Sequence, residues 1–574
     1  MQINKKDIIR LLEQIALYME LKGENPFRVS AFRKAATALE NDDRSLREID
    51  DFLKIPGIGK GTNAIIEEYI EKGSSSLLEE LQAEVPEGLI PLLQLPGLGG
   101  KRIARLYKEL GVKDIHTLEE ACRTGKVATL KGFGKKTVNN ILDSIKQVGN
   151  RPERLPIAYM LPLAEKIEAQ LTQIKEISKL SRAGSLRRQR ETIKDLDFII
   201  ATEHPSSVKE QLLQLDGKKE AIASGETKIS IVLDDQYEVS VDFRLVKPQE
   251  FATALHHFTG SKDHNIRMRQ IAKERGEKIS EYGIEIKENQ EVLTFSTERD
   301  FFHHFGLPFI PPEIREDGKE IDLYHHKEPL ISLNDIKGDL HMHTTWSDGA
   351  FSLEEMVLAC REKGYKYMAI TDHSKYLKVA NGLTEERLRK QREEIAHLNK
   401  KYDDILILSG VEMDILPDAT LDYDDQMLKE MDIVIAAIHS GFSQPQEKIM
   451  ERLQTALENQ YVDIIAHPTG RLIGRRNGYP VDIDMLMELA KKTNTALELN
   501  ANPNRLDLAA EHLRKAEELG INVVINTDAH TIEQLDYMKV GVGAAKKGWI
   551  GKKSVVNALE PDQLVAFLKR KKAE

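Results

Sequence analysis

The sequence predicts a multidomain protein: an α-helical front region, a mixed α/β sheet domain with a helical extension, and a large β/α barrel at the rear. Three observations predict it. The chain has 574 residues, which at roughly 150 per domain gives about four cores. Residues 1 to about 148 show helical apolar spacing without a strand pattern, whereas 150–245 turn to alternating β-branched runs. From 334 onward, short apolar strands alternate with helical stretches, the signature of β/α repetition.

In the front region, apolar positions such as Ile8, Leu11, Leu12 and Ile15 mark short amphipathic helices broken by glycine. The segments DLDFIIAT, KISIVL and YEVSVDFRLV then read as strands of one sheet. Residues 246–318 return to helical character, and DGKEIDLYHHKEP at 317–329 reads as a polar connector. In the rear, YMAIT, ILILSG, DIVIAAIH, DIIAH, ALELN and NVVINT are strands of about seven β/α units, enough to close a barrel.

Composition is that of a folded soluble protein, 41% hydrophobic and 30% charged, which excludes collagen-like, low-complexity and wholly disordered classes. The opening MQINKKDIIRLLEQIALYME intersperses charges, and no apolar run reaches 18 residues, so a cytoplasmic location without a membrane partner is expected. Cys122 and Cys360 are too few for a disulfide framework. Net charge is −11, yet charge is segregated. Residues 101–150 hold eleven Lys and Arg against five Asp and Glu, and residues 401–450 hold three against eleven. A local positive surface suffices to neutralise phosphates.

That surface carries a repeat: IPGIGKG at 55–61, LPGLGGKR at 95–102 and LKGFGKKT at 130–137. In each, a Gly-hydrophobic-Gly turn (Gly57 and Gly59, Gly97 and Gly99, Gly132 and Gly134) separates helical segments, leaving amides free at the next helix start. Lys60, Lys101 with Arg102, and Lys135 with Lys136 follow the turns, where they can add sequence-independent phosphate contacts. The units resemble the helix-hairpin-helix element of DNA repair proteins, which implies a DNA partner.

In AGSLRRQRETIKDLDFIIAT, residues 183–202, Asp195 and Asp197 lie two apart and share one strand face, while Leu196 and Phe198 take the other. A second strand brings Asp242. Three crowded carboxylates call for divalent cations, and two Mg2+ ions with substrate phosphates meet that need. Gly184 and Ser185 stand at a turn with Arg187 and Arg188 after them, amides, a hydroxyl and guanidinium for a triphosphate.

Gly184-Ser185-x-Arg187-Arg188, Glu191-Thr192 and Asp195-x-Asp197 resemble the palm of family X DNA polymerases, and HFTGSKDHN at 257–265 resembles that family's thumb. The resemblance implies a nucleotidyltransferase palm with thumb, in which Asp195, Asp197 and Asp242 hold two Mg2+ ions and Asp242 assists deprotonation of a primer 3′-hydroxyl. It also implies that Gly184, Ser185 and Arg188 meet the triphosphate, that Phe258, Thr259 and Gly260 line the sugar pocket, with His257 next to them in the nucleotide site, and that Asn265 reaches the base, while Lys262 can add a cationic contact to the nucleotide. Four positions depart from vertebrate relatives. His257 replaces a tyrosine, Lys262 an acidic residue and Ser240 an arginine, and Ile65 stands where those relatives carry the lysine of a 5′-deoxyribose-phosphate lyase. An alkyl group forms no Schiff base, so lyase activity of that type is expected to be weak or absent.

The rear region presents GDLHMHTTWSDG with His341, His343 and Asp348, ITDHS with His373, GVEMDI with Glu412, AAIHSG with His439, IIAHPTGR with His467, and NTDAH with Asp528 and His530. Barrel strand ends converge on one mouth. Imidazoles with carboxylates suit Zn, Mn or Fe, and nine such groups exceed the needs of one ion. Arg471, Arg475 and Arg476 follow His467, either to bind a substrate phosphate or as a solvated loop. The set resembles the polymerase and histidinol phosphatase (PHP) domain, a distorted (β/α)7 barrel with a trinuclear site, and implies an active hydrolase with two or three Mn2+ or Zn2+ ions.

The expected domains are 1–80 and 81–148, helix-hairpin-helix; 149–245, palm; 246–318, thumb; 319–333, linker; and 334–574, the PHP hydrolase. The whole resembles bacterial family X DNA polymerases fused to this hydrolase. The resemblance implies a protein that fills short gaps in primed DNA from deoxynucleoside triphosphates, with a Mn2+-dependent 3′-5′ exonuclease and, in some relatives, cleavage at abasic sites; length and linkers permit a monomer. Two alternatives differ in class: a small-molecule phosphatase with a DNA-anchoring front half, and a noncatalytic gap-binding scaffold.

Overall fold

The computed structural model describes residues 5–571 apart from 41, 43–45, 47–48, 50, 96–97, 131, 149–151 and 325–328. The front is helical, as its spacing predicts. Helices Lys5–Lys22 and Pro26–Glu40 bury Ile8, Leu12, Ile15, Phe32 and Leu39 in one cluster, and Gly100–Leu110, Ile115–Arg123 and Lys135–Val148 form a second. The described parts of the three glycine segments lie between a short 3-10 segment, Phe52–Lys54, Pro91–Gln94 or Val127–Thr129, and a helix. Gly57 has φ +112, and a Cβ there would lie 3.0 Å from the Ala38 Cβ, so both conformation and space demand glycine at this turn.

The sheet domain orders its strands Lys179–Arg182, Leu196–Ala201, Ser240–Val246, Lys228–Leu233, Lys218–Ser224. Leu196–Ala201 and Ser240–Val246 run parallel and their neighbours antiparallel. Phe198 and Phe243 stack on the buried face at 5.8 Å, which locks the register of these two central strands. The extension packs helices Phe251–Thr259, Lys262–Glu274 and Glu298–His304 with a three-stranded sheet around Phe301 and Phe302. Within the polar segment 317–329, Glu320 and Ile321 are buried, and Ile321 joins this core.

The rear domain is a parallel barrel of seven strands in sequence order, from Gly338–Asp339 to Val523–Asn526. Its ends nearly close, since His343 N–H donates to the Ala529 carbonyl at 2.8 Å. Alternate strand residues serve two cores: Tyr367, Ala369, Ile433 and Ile435 in one, Met368, Ile370, Val434 and Ala436 in the other. Strands buried on both faces read as continuous apolar runs. His373, Glu412 and His439 continue the register of the first set and so reach the barrel mouth from inside.

The palm sheet is seated on this barrel. One hydrophobic cluster runs from Ile157, Leu186 and Phe198 to Met342, Val540 and Ala544, and Trp549 of the barrel enters the thumb core. Arg471 donates to Glu191 at 2.7 and 3.2 Å, placing a charged pair across the same seam. Among the described residues no helix is long and apolar enough to cross a membrane.

Candidate functional site

At the barrel mouth the structure brings together all nine rear-domain residues singled out by their motifs. Ligand atoms within 4.8 Å of one another form three groups: His343, Asp348, His373 and His530; His341, His343 and Asp528; and His373, Glu412 and His439. His467 joins through Glu412, its Nε2 lying 3.0 Å from Oε1. His341 and His343 follow the strand Gly338–Asp339 and do not lie within it; the strand ends two residues before the first imidazole, and both side chains are fully buried.

This donor set fits metal. His341 Nε2 and His343 Nδ1 are buried without a hydrogen bond, an arrangement that costs about 1–3 kcal/mol per group unless a cation satisfies it, and His373 Nδ1 faces Glu412 Oε2 at 2.8 Å. Charge points the same way. Burial would raise Glu412, but His439, His341 and His373 outweigh it and hold the carboxylate well below its usual range. Burial would lower His439, but Glu412 and Asp414 raise it to about 10. His343 is pushed to about 3 by burial, then by His530 and His373. Carboxylates thus force protons onto some rings, the positive charge that divalent ions supply when bound.

A supporting layer orients these rings, and sequence reasoning missed it. Glu498 takes His341 Nδ1 at 2.7 Å and the His467 N–H at 2.6 Å. Asp414 pairs with His439 Nδ1 at 3.1 Å, and Asn500 donates to Asp528 at 3.1 Å. Asp372 accepts from Thr344 N–H at 2.8 Å and from Gln391 at 2.5 Å. Such partners fix tautomer and ring direction. The available signal was an acid inside an apolar strand, as in ALELN, or two residues past a ligand, as in EMD. Arg471 turns away to Glu191, and Arg476 lies over the Phe442 ring at 4.3 Å. Arg505 stands at the mouth, with Nε 3.8 Å from Asp528 Oδ2, another residue the motifs did not mark.

In the sheet domain Asp197 and Asp242 are register partners on adjacent parallel strands. Asp195 immediately precedes the strand Leu196–Ala201 and is not part of it, but alternation holds: Asp195 and Asp197 are half-buried and Leu196 and Phe198 buried. Burial, then Asp195 and Asp242, push Asp197 up to about 7, as expected of acids crowded where a cation belongs. Asp242 accepts from Ser230 Oγ at 2.5 Å and pairs with Lys228 at 2.8 Å. Gly184 has φ +58, and a Cβ there would overlap Asp197 Oδ2. Only glycine lets the backbone approach this carboxylate.

Ser185 lies in the short helix Gly184–Arg187, half-buried. Arg187 donates to Thr259 Oγ1 at 2.7 Å and pairs with Glu298, which also holds buried Arg315 at 2.8 Å. Arg188 donates to the Thr259 carbonyl near Gly260. The palm turn is therefore tied to the thumb. His257 stands edge-on to Phe258 at 4.9 Å, with Arg244 4.6 Å over the Phe258 ring. Asn265 donates to the His257 carbonyl at 2.8 Å, leaving its buried Oδ1 without a partner. Lys262 is exposed at a helix start.

At the front, Gly59 and Gly99 cap the helices Lys60–Lys72 and Gly100–Leu110, and Lys60, Lys101 and Arg102 are exposed. Gly132 and Gly134 precede the helix Lys135–Val148. Gly97 and the side chains of Lys135 and Lys136 lie outside the described residues. Ile65 packs against the first helical core.

Comparison with known proteins places names beside this geometry. Residues 3–75 match the helix-hairpin-helix domain, 89–147 the SAM-like helix-hairpin-helix tandem, 254–316 the DNA polymerase beta thumb and 339–502 the PHP domain. The chain is 66% identical over 568 residues to the DNA polymerase/3′-5′ exonuclease PolX of Bacillus subtilis, covering 99% of this chain and 100% of that protein. A probable phosphatase of Thermoanaerobacter sp. is 28% identical over 41% of this chain and 95% of its own length. DNA polymerase lambda of Rattus norvegicus is 23% identical over 54% of this chain and 56% of its own.

Proposed function

The chain belongs to the PolX family of DNA polymerase/3′-5′ exonucleases, and on that premise we propose how its two acidic centres divide the work. The protein is a gap-filling repair polymerase that also degrades DNA from the 3′ end, and both activities depend on divalent metal. Extension belongs to the palm and degradation to the barrel. The observation that carries this division is the separation of two donor sets of different chemistry: carboxylates alone at Asp195, Asp197 and Asp242, and imidazoles with carboxylates at the barrel mouth.

In the palm, the three aspartates hold two Mg2+ ions, which supply charge neutralisation at the transferred phosphoryl group. Gly184, Ser185 and Arg188 bind the triphosphate; His257, Phe258, Thr259 and Gly260 hold the sugar, Lys262 adds a cation, and Asn265 presents its unpartnered Oδ1 toward the base. Asp242 accepts the 3′-hydroxyl proton, its approach set by Ser230 and Lys228. In the barrel, His341, His343, Asp348, His373, Glu412, His439, His467, Asp528 and His530 would hold two or three Mn2+ or Zn2+ ions, which would supply Lewis-acid activation of the nucleophile and leaving-group stabilisation. Glu498 and Asp414 keep the rings aimed, and Arg505 steadies the phosphodiester. The glycine hairpins 55–61, 95–102 and 130–137 grip the backbone of gapped DNA, and one chain carries both centres, so a monomer suffices.

Paired variants test the division. Asp195→Ala with Asp197→Ala should abolish primer extension and leave 3′-5′ degradation within two-fold, roughly the error of a site-independent change. His341→Ala with His343→Ala should do the reverse. Loss of both activities from either pair in a folded protein would overturn the assignment.

A further inference from the structure

The barrel does more than carry its own site: its last helix before Trp549 reaches the palm turn that the polymerase reading assigns to the triphosphate. Lys547, at the end of the helix Tyr537–Lys547, is 13% exposed. Its Nζ lies 2.5 Å from Glu316 Oε1 and donates to the backbone carbonyls of Arg188 and Glu313 at 3.3 Å each. One ammonium thus joins the backbone of the palm, the backbone of the thumb and a thumb carboxylate. Glu316 also takes Arg190 at 3.0 Å, while its Oε1 stands 3.6 Å from Arg188 Nε, an atom without a hydrogen bond. Next in sequence, Gln189 adopts φ 52 and lies so close to the barrel that a Cβ on Gly543 would come within 2.7 Å of its Cγ. Glu191 is held by Arg471. Four consecutive palm residues, Arg188 to Glu191, are therefore gripped from the barrel or from the carboxylate it governs.

We propose that Lys547 of the hydrolase domain is a positioning residue for the polymerase, neutralising Glu316 so that the Arg188 guanidinium stays available to the triphosphate. This rests on the assignment of Arg188 to the triphosphate. Glu316 has three cations within reach and can satisfy itself with Lys547 and Arg190. Removing Lys547 leaves a half-buried carboxylate short of one charge, and the nearest replacement is Arg188. An Arg188 paired to Glu316 is an Arg188 withheld from phosphate oxygens, which compete for the same fork of N–H donors. Burial would raise the Glu316 carboxyl, but Lys547, then Arg188 and Arg190, hold it below its usual range, in keeping with a charge shared among all three.

Steady-state incorporation by the full-length protein tests this, with 3′-5′ degradation of single-stranded DNA as the internal control. Lys547→Ala should raise the deoxynucleotide KM on the order of ten-fold, the usual size of a coupling between adjoining sites, with kcat and degradation within about two-fold. Lys547→Arg should restore most of the loss, and Glu316→Gln in the Lys547→Ala background should recover KM, because the competing charge is gone. A purely structural role would lower kcat and degradation as well and gain nothing from Glu316→Gln; that pattern overturns the proposal. Gly543→Ala covers the case in which Lys547 variants do not fold: alanine suits a helix interior but displaces Gln189, and should raise KM alone, an unchanged KM counting against the proposal. Arg188→Ala separates the layers. If it leaves KM unchanged, the reading of Arg188 fails; if it raises KM while Lys547→Ala does not, only the coupling fails.

Discussion

On the proposed division of labour, the two centres gather metal by opposite structural means. In the barrel most donors are deeply buried: the Glu412 side chain is 1% exposed and His341 and His343 are fully buried, with His530, 28% exposed, at the rim. Glu498 and Asp414 aim the His341 and His439 rings, and the amide of Asn500 holds the Asp528 carboxylate, before any substrate arrives. In the palm, Asp242 remains 25% exposed and is engaged by Lys228 and Ser230. The difference teaches that a site can be complete within one domain or left open for its substrate to finish. A hydrolase of DNA ends needs only a phosphodiester at a finished mouth. A polymerase must admit nucleotide, primer and template, so its carboxylates lie on an open sheet face and its other walls belong to a thumb.

Substitutions can break or sharpen that contrast. After the paired aspartate and histidine variants, the largest effect is expected from Gly184→Ala, since the added methyl overlaps Asp197 and the backbone is left-handed there. Displacing one carboxylate by about 1 Å costs on the order of a hundred-fold in rate, so primer extension should fall by that amount while degradation is untouched. Loss of degradation would show that the centres are not separate. Next is Glu498→Gln, which keeps the shape but weakens the acceptor for His341. Removing such a partner weakens metal binding about 10- to 100-fold, and titrating degradation with Mn2+ should reveal the shift without changing the metal dependence of extension. Third, a more deeply buried donor set should couple metal to folding more strongly than an open one. Metal at about a hundred times its dissociation constant stabilises by about 2.7 kcal/mol. Hydrogen exchange should therefore show Mn2+ protecting the barrel strands, with little change at the strands of Asp197 and Asp242.

The smallest effect concerns the thumb. Burial raises the Glu320 carboxyl to about 7, and this group pairs with buried His264 at 2.6 Å. A carboxyl whose folded value is raised favours folding below its unfolded value, and that contribution is lost as pH rises through about 7. Its share of the stability slope is at most about 1.4 kcal/mol per pH unit. Thermal unfolding of Glu320→Gln should be flatter than wild type between pH 5 and 7.5; an unchanged profile would exclude Glu320 as the source.

Much of this was legible in the sequence because ligands to metal come in local motifs. HMH, TDH and TDAH place donors within a few residues of a strand end, and the barrel completes the assembly by topology. The palm aspartates were legible through alternation: Leu196 and Phe198 had to face the core, so Asp195 and Asp197 could not. What escaped depended on contacts with no local trace. Arg471 sits beside His467 in sequence, yet its partner Glu191 is 280 residues away. Lys228 and Ser230 meet Asp242 only through the register of two antiparallel strands. Glu498 is one acid in an apolar strand, indistinguishable from an edge charge until its neighbours are known.

The seam between palm and barrel has a further consequence. Because Ile157, Leu186 and Phe198 share a hydrophobic cluster with Met342, Val540 and Ala544, neither half has a finished surface of its own. Genetic surgery that severs the chain near residue 333 would strip oil-like surface bare on both fragments. The two trades of this protein thus share a wall, and a lineage that discarded one would first have to re-clothe the other.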